Sequence, residues 1–249
     1  MTGHLVARQP GAPASYRFIV DAMASVLEVS DLAIRFGSAV VFHGLSFSVP
    51  AGSSLAVIGP NGAGKTVLFK ALVGSLPYEG RVRWAPDVRI GYVPQRLDLD
   101  RDLPITGHDL LRAKAGVTQG ASDIADATAA VGLGAELDRR IGALSGGQFQ
   151  RLLVAMAMVG HPNVLLLDEP TAGIDEPGQE RLNELVARLR RERGLTSLVI
   201  SHELSVVYHH ATAVLCLGGD RSWFGAPTEI LTPERLREIY GPVGYHVHA

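Results

Sequence analysis

Residues 59–66 read Gly59-Pro60-Asn61-Gly62-Ala63-Gly64-Lys65-Thr66 and match the phosphate-binding loop pattern G-x-x-x-x-G-K-[ST]. An apolar run precedes them and an apolar segment with helical character follows. In such a loop, backbone N–H groups point at phosphate oxygens, and the helix N-terminus adds positive potential. Lys65 is expected to reach the β and γ phosphates of a nucleotide, and Thr66 to bind Mg²⁺. The stretch therefore predicts an α/β protein with a nucleotide-binding P-loop.

Four runs are almost continuously apolar, as expected of strands that are buried on both faces of a parallel sheet. They cover residues 55–58, 164–167, 197–200 and 213–217. Before them, residues 26–49 form short alternating segments, which predict antiparallel strands. We therefore expect a P-loop NTPase (RecA-like) fold, with a mostly parallel core sheet and an antiparallel β edge.

Helical patterns fill much of the remaining chain. Residues 109–114, 122–131 and 135–140 predict short helices, and we expect an inserted α-helical subdomain over about 96–144. Residues 176–193 predict an amphipathic helix ended by Gly194. Thr232 and Pro233 predict the N-cap and first position of a short helix that ends at Tyr240.

Composition narrows the class of protein. The chain has 249 residues, of which 47% are hydrophobic and 19% charged, and this suits a packed α/β core. The net charge of -2 gives no global basic field, so nucleic acid is not an expected partner. No apolar stretch approaches the roughly 20 residues that span a bilayer, so membrane association requires another subunit. The single cysteine, Cys216, excludes an internal disulfide and is expected to be a buried small hydrophobe.

Two carboxylates, Asp168 and Glu169, follow the buried run 164–167. The carboxyl end of a parallel strand would bring both of them beside the phosphate loop. We expect Asp168 to hold Mg²⁺ directly or through water, and Glu169 to act as the general base on the attacking water. The alternative is that both carboxylates end a strand and face solvent.

The decisive motif is Leu144-Ser145-Gly146-Gly147-Gln148, which resembles the signature of ABC ATPases. It predicts a helix start that Ser145 caps, with two glycines that leave backbone N–H groups open to a second anion. In that family the signature faces the γ-phosphate bound by the opposite subunit. The resemblance therefore implies a dimer, expected to be a homodimer, that holds two ATP molecules between its nucleotide-binding domains.

The resemblance covers nearly the whole chain from about Val26 and implies further site residues. Gln95 matches the glutamine loop that senses Mg²⁺ and the attacking water, and His202 matches the switch histidine. Asp175 matches the aspartate of the loop that crosses the dimer, and Phe36 the aromatic residue that stacks on adenine. Three of them have a simpler alternative: His202 as an ordinary strand-end histidine, Asp175 as a helix N-cap, and Phe36 as a packing residue.

The sequence also predicts a division of the chain, although the N-terminal extension has no counterpart in the family. A flexible extension is expected over residues 1–24, and an ABC ATPase domain over 25–240, with its core in 25–95 and 145–240. A tail is expected over 241–249. Its His246 and His248 form at most a weak metal site, so a solvated tail is favoured.

Within the family, the chain is most similar to the importers of zinc, manganese or iron. The matching segments are residues 92–96, 201–207, 215–217 and 232–241, whereas Ala157 and Met158 depart from the family's usual Arg-Ala-Leu. The resemblance implies membrane permease subunits, an extracytoplasmic metal-binding protein, and a place at the cytoplasmic face of the membrane.

Three alternatives remain open at this point. The first is an ABC transporter ATPase for another substrate, such as an iron chelate, an amino acid or a lipid. The second is a soluble ABC protein that acts on ribosomes or DNA, which a single nucleotide-binding unit and the absence of a basic patch disfavour. The third is a P-loop kinase or a GTPase-like switch, which the signature motif disfavours.

Overall fold

The computed structural model describes residues 24–95, 97, 99–116, 120–218 and 221–241. Within these residues the strands are β1 Ser25–Phe36, β2 Ala39–Pro50, β3 Ser54–Ile58, β4 Glu79–Trp84, β5 Ile90–Val93, β6 Val164–Asp168, β7 Thr196–Ile200, β8 Ala213–Gly218 and β9 Arg221–Gly225. The α-helices are α1 Lys65–Leu72, α2 Gly107–Ala115, α3 Ala121–Val131, α4 Gly146–Met158, α5 Glu176–Arg193, α6 Leu204–His210, α7 Pro227–Ile230 and α8 Pro233–Tyr240. The expected N-terminal extension and the tail with His246 and His248 lie outside the described residues, apart from Ala24 and Gly241.

The core is a six-stranded sheet in the order β5-β6-β7-β3-β8-β9, in which every neighbouring pair is parallel except β8 and β9. All four predicted apolar runs are strands of this sheet. Strand β5 has no matching prediction because Gly91 interrupts its apolar pattern. A Cβ at Gly91 would lie 2.4 Å from the carbonyl oxygen of Ala157, so glycine allows α4 to pack closely against this strand.

A second, antiparallel sheet has the order β2-β1-β4. The first of the short alternating segments expected over residues 26–49 belong to one strand, β1, which has a register shift between Val29 and Leu32. At the irregularity Asp31 takes a positive φ of 52°, and its N–H donates to Ser46 Oγ at 2.8 Å. The antiparallel edge is thus confirmed as a separate sheet, and one hydrophobic cluster joins it to α1 and the core sheet.

The helices expected over 109–114 and 122–131 are present as α2 and α3. Helix α2 begins with a capping box in which Thr106 and Asp109 satisfy each other's backbone N–H groups. The helix expected over 135–140 is instead two 3₁₀ turns, Ala135–Asp138 and Ile141–Ala143, because Arg140 forms a β-bridge with Thr106. These segments share one hydrophobic cluster with α4, α5 and β6, so the helical layer is continuous with the core.

Three further expectations from the sequence are confirmed. Helix α5 ends at Gly194, which has the left-handed φ of 64° that glycine tolerates best. Helix α8 begins with Thr232, whose side chain accepts a hydrogen bond from the Arg235 N–H at 3.4 Å. Cys216 is fully buried, and burial raises the pKa of its thiol to about 12. In the described part of the chain, none of the helices has both the length and the apolar character to cross a bilayer.

Candidate functional site

Residues 59–64 join β3 to α1, and two glycines of this loop have positive φ together with close neighbours. A Cβ at Gly59, where φ is 147°, would lie 2.1 Å from the carbonyl oxygen of Leu217. A Cβ at Gly64, where φ is 89°, would lie 2.5 Å from Val41 Cγ1. Side chains at these positions would force the loop away from β8 and from β2. The glycine spacing is therefore a requirement of packing as well as of the loop conformation.

Lys65 is the first residue of α1 and is only 6% exposed. Its Nζ donates hydrogen bonds to the carbonyl oxygens of Gly59 at 2.9 Å and Pro60 at 3.1 Å. Burial lowers the pKa of Lys65, while the charges of Glu169 and Asp168 act in the opposite direction. The loop therefore holds an ammonium group on its inner side, beside two carboxylates.

Asp168 ends strand β6 and is fully buried. The Thr66 hydroxyl donates to its Oδ1 at 3.2 Å, and the Tyr92 hydroxyl donates to its Oδ2 at 3.4 Å. Burial raises the pKa of Asp168, and burial together with the Asp168 charge raises the pKa of Tyr92 to about 12. A hydroxyl oxygen and a carboxylate oxygen thus lie side by side at the start of α1.

Glu169 follows directly and lies between two loops. Gln95 Nε2 donates to its Oε2 at 2.6 Å, and His202 Nε2 lies 2.5 Å from its Oε1. Gln95 follows β5, Glu169 follows β6, and His202 follows β7. Because these three strands are parallel neighbours, their carboxyl ends meet at one edge of the sheet. The structure therefore brings together three residues that are distant in the sequence.

The backbone of Glu169 is itself unusual. Its φ is 47°, one of three positive values among the described non-glycine residues. Such a conformation costs of order 1–3 kcal/mol and persists only where the surroundings enforce it. Its N–H donates to the Ile200 carbonyl oxygen at 3.2 Å, which ties the turn to β7. The carboxylate is therefore aimed by a strained turn.

The signature residues form the start of α4, as the sequence predicts. Ser145 is the N-cap, its Oγ accepts from the Gln148 N–H at 3.2 Å, and Gln148 Oε1 accepts from the Ser145 N–H at 3.0 Å. Leu144 is buried. A Cβ at Gly146 would lie 3.2 Å from the Gly173 carbonyl oxygen, so the motif packs beside the segment that leads into α5.

Asp175 and Phe36 belong to other elements than the strand ends that meet at Glu169. Asp175 occupies the N-cap position of α5, as the alternative interpretation predicts. Its side chain, however, makes no capping hydrogen bond. Phe36 ends β1 and is 51% exposed. The neighbouring strand β2 contributes Val41, whose side chain lies against Gly64. The hairpin between these strands is thus close to the phosphate loop.

Sequence reasoning missed the position of Tyr92 in the site. The residue was notable only as part of the segment that leads to Gln95. In the structure its hydroxyl donates to Asp168. Tyr92 lies on β5, which is at the edge of the core sheet as the structure describes it. A tyrosine three residues before Gln95, on a strand that the sequence did not reveal, carried no signal of this contact.

Known protein families and curated proteins include relatives of this chain. The family model described as ABC transporter matches residues 42–172. The zinc import ATP-binding protein ZnuC of Jannaschia sp. (strain CCS1) is 40% identical over 221 residues, which cover 87% of this chain and 89% of that protein. The ZnuC of Yersinia enterocolitica is 39% identical over 223 residues, which cover 89% of this chain and 88% of that protein.

Solved structures give the same result. A metal-chelate type ABC transporter in an inward-facing conformation aligns with a TM-score of 0.80 and 26% identity, covering 87% of this chain and 89% of that one. An ATP-binding cassette of an ABC transporter in its ADP conformation aligns with a TM-score of 0.76 and 22% identity, covering 88% and 99%. The second likeness supports the fold alone. Taken with the family match and the relatives that are about 40% identical, these findings establish that the chain belongs to the ABC transporter family as an ATP-hydrolysing subunit.

Proposed function

We propose that this ABC ATPase uses Glu169 as the general base for ATP hydrolysis and energises the import of zinc. The catalytic assignment rests on the position of the Glu169 carboxylate. It accepts a hydrogen bond from Gln95 and contacts His202, and it lies beside Asp168 and Lys65. A general base must lie within reach of the attacking water, and these contacts support a position for the carboxylate beside the phosphate loop.

Nucleotide binding falls to residues 59–66. Backbone N–H groups of the loop and the N-terminus of α1 bind the phosphates, and the Lys65 ammonium moves from the carbonyl oxygens of Gly59 and Pro60 to the β and γ phosphates. The exposed Phe36 ring stacks on adenine, which its place on the hairpin beside Gly64 supports.

The oxygen ligands that Mg²⁺ prefers are available next to this loop. Thr66 Oγ1 and the buried Asp168 carboxylate are 3.2 Å apart, and hydroxyl and carboxylate oxygens are typical of magnesium sites. We assign Thr66, Asp168 and Gln95 to this ion. When bound, Mg²⁺ neutralises charge on the phosphates.

The carboxylate of Glu169 accepts a proton from the water that attacks the γ-phosphate. In this step the Gln95 amide and the His202 ring turn from Glu169 toward the nucleotide, which frees acceptor sites on both carboxylate oxygens for the attacking water. His202 then donates a hydrogen bond to the γ-phosphate. The turn at Glu169 keeps its carboxylate in place while its partners move.

The second anion site is completed by another subunit. Ser145, Gly146 and Gly147 present a capped helix start, which favours binding of the γ-phosphate held by a second copy, and Asp175 crosses to that copy. Leu144 and Gln148 support the turn from either side. ATP therefore stabilises a closed homodimer, in which the helical subdomain over about 96–144 moves relative to the core.

The identity of the transported ion is inferred from the names of related proteins. Proteins named zinc import ATP-binding protein ZnuC are 37–40% identical over most of this chain. We infer that the chain acts at the cytoplasmic face of a membrane, on permease subunits that receive zinc from an extracytoplasmic binding protein. Manganese and iron are the alternative ions.

The test measures ATP hydrolysis and zinc uptake separately. The genes for the chain and its permease are deleted and restored with wild type, Glu169→Gln or the exposed control Glu79→Gln. We expect wild type and Glu79→Gln to restore zinc uptake, whereas Glu169→Gln binds ATP but hydrolyses it at least about 100-fold more slowly.

The outcomes separate the two claims. If Glu169→Gln retained near wild-type hydrolysis, the assignment of the general base would be wrong. If hydrolysis followed the expected pattern but uptake concerned manganese, iron or a chelate and not zinc, the catalytic assignment would stand and the substrate would change.

A further inference from the structure

A single arginine joins the segment that follows Gln95 to the start of the signature helix. Arg101 lies in the connecting segment, residues 99–106, which leads from the Gln95 loop to α2. Its Nη2 donates to the carbonyl oxygens of Ile141 at 3.1 Å and Leu144 at 2.7 Å. Leu144 is the first signature residue. Arg101 therefore contacts the signature from a position 43 residues earlier in the chain.

The backbone of the connecting segment fixes the place from which the Arg101 side chain begins. The Leu103 N–H donates to the Asp100 carbonyl oxygen at 3.2 Å, which closes a turn around Arg101. The Asp102 N–H donates to Asp100 Oδ1 at 2.9 Å and reinforces this turn. A Cβ at Gly142 would lie 2.5 Å from the Arg101 carbonyl oxygen, so glycine permits the turn to pack closely there. The backbone and the side chain of Arg101 thus contact the same stretch of chain.

Backbone contacts also hold the connecting segment beside the residues that precede the signature. The Ile141 N–H donates to the Ile105 carbonyl oxygen at 3.0 Å, and Thr106 forms the β-bridge with Arg140. Ile141 is fully buried. Because hydrogen bonds join the two stretches at three places, a displacement of the connecting segment is expected to move the residues that lead into the signature.

The peptide between Leu144 and Ser145 is held on both sides. Its carbonyl oxygen accepts from Arg101 Nη2, and its N–H donates to Gln148 Oε1 at 3.0 Å. A peptide unit is planar, so two opposed hydrogen bonds fix its rotation. Ser145 is the N-cap of α4 and precedes the two glycines of the signature. The orientation of this peptide therefore sets the direction of the N–H groups that follow it.

The Arg101 guanidinium also lies over an aromatic ring of the signature helix. Its Cζ is 4.6 Å from the centroid of the Phe149 ring, which is a cation–π distance. Phe149 lies near the start of α4 and packs against the hydrophobic cluster of the helical layer. Within the described residues, the Arg101 guanidinium has no carboxylate oxygen within 4.0 Å. Its charge is therefore not shared with an ion pair in this part of the chain.

We propose that Arg101 is a positioning residue for ATP hydrolysis, which orients the N–H donors of the signature from the segment that follows Gln95. This role, which rests on the second anion site proposed for the signature, joins two parts of the machinery. Gln95 contacts Glu169 before the connecting segment begins, and Arg101 contacts Leu144 within it. One stretch of chain thus links the carboxylate that we assign as the general base to donors that serve a second copy.

Hydrogen exchange of the full-length chain without nucleotide measures the positioning effect. Arg101→Met removes both donated hydrogen bonds and keeps an unbranched apolar stem beside Phe149. Arg112→Met, at an exposed arginine of α2, is the control. We expect the amides of residues 145–149 to exchange about tenfold faster in Arg101→Met and less than about twofold faster in the control, because the lost hydrogen bonds shift a local opening equilibrium. Thermal unfolding checks that both variants are folded.

Steady-state ATPase of the same full-length chains separates positioning from a general loss of structure. We expect kcat to fall about tenfold in Arg101→Met. Affinity for a fluorescent ATP analogue at low protein concentration is expected to change less than about twofold, because residues 59–66 are unaltered. Arg101→Lys, whose Nζ carries three donors, is expected to recover kcat to within about threefold of wild type.

Unchanged exchange at residues 145–149 in Arg101→Met would overturn the proposal, and so would faster exchange with kcat within about twofold of wild type. Loss of ATP-analogue binding in step with kcat would also overturn it and would assign Arg101 to general stability. Glu169 is intact in all these chains, so the comparison does not depend on whether Glu169 is the general base. Failure of the second anion site would be seen separately, as a lack of ATP-driven pairing in Glu169→Gln.

Discussion

At the scale of single residues, the site depends on positions that tolerate no alternative backbone. The Cα of Gly59 packs against the carbonyl group of Leu217, and the carbonyl oxygen of Gly59 accepts a hydrogen bond from Lys65 Nζ. The same peptide therefore joins β8, the loop and the ammonium group. A change there acts on phosphate binding and on stability together.

Gly59→Ala tests this arrangement. The added methyl group meets a backbone oxygen at 2.1 Å and a φ of 147° that alanine avoids, so the loop must shift. We expect the free energy of unfolding to fall by about 1–3 kcal/mol and ATP affinity to fall at least about tenfold. Urea unfolding and titration with a fluorescent ATP analogue measure both. Gly37→Ala, where a Cβ has no neighbour within 4 Å, is the control for a left-handed glycine in open space. Unchanged ATP affinity in Gly59→Ala would contradict the close contact.

Tyr92→Phe tests the hydroxyl that reaches Asp168. The variant removes the donor to Oδ2 and leaves Thr66 alone to orient the carboxylate. A hydrogen bond of this kind contributes about 0.5–1.5 kcal/mol, so we expect the Mg²⁺ concentration for half-maximal ATPase to rise about two- to tenfold. Direct titration of Mn²⁺ binding by its paramagnetic signal gives a second readout. Tyr208→Phe, at an exposed tyrosine, is the control. A loss of turnover at unchanged Mg²⁺ dependence would speak against an orienting role.

At the scale of elements, an ion-pair cluster joins α3 to the core. Arg193, at the end of α5, donates to both oxygens of Asp126 at 2.6 and 3.1 Å. His161 lies 3.6 Å from Asp126 and 3.5 Å from Asp123. The cluster holds α3 against the end of α5 and the segment that follows α4.

The pH dependence of stability follows from Asp126. The hydrogen bond from Arg193 lowers the pKa of this carboxyl below its ordinary value of 3.8. A depressed folded-state pKa contributes stability that is present above the unfolded-state value and is lost as pH falls through the folded-state value. Because the pair is partly exposed, we expect about 0.5–1 kcal/mol. Asp126→Asn should therefore be less stable than wild type at pH 7, with the difference closing as pH falls below about 4. Urea unfolding across this range checks it, and a constant difference at all pH values would refute it.

At the scale of the whole molecule, the sequence predicted most of the sheet but not its border. The runs at β3, β6, β7 and β8 were recognisable because strands buried on both faces are continuously apolar. Strand β5 is short and contains Gly91. Glycine is needed at this position because α4 packs closely against the strand, and a local sequence pattern does not reveal such a tertiary contact. The phosphate loop and signature follow from local motifs, whereas the contact of Tyr92 with Asp168 depends on β5 and was missed.

The oligomeric state provides a test at this scale. If the signature completes the site of a second copy, ATP should drive assembly, and slowed hydrolysis should preserve it. We expect Glu169→Gln to be monomeric without nucleotide and dimeric with ATP and Mg²⁺ in analytical ultracentrifugation. Ser145→Arg, which adds bulk and removes the cap of α4, should stay monomeric under the same conditions. A Glu169→Gln chain that remained monomeric with saturating ATP would rule out nucleotide-driven pairing of identical chains.

The two contacts of Glu169 have a wider implication for control. Gln95 belongs to the loop that leads into the helical layer, and His202 to the loop that leads into α6. Since each occupies one carboxylate oxygen, release of either loop alone leaves the base still engaged by the other. If Glu169 is the general base that we propose, its freedom to bind the attacking water is therefore controlled from two separate parts of the chain.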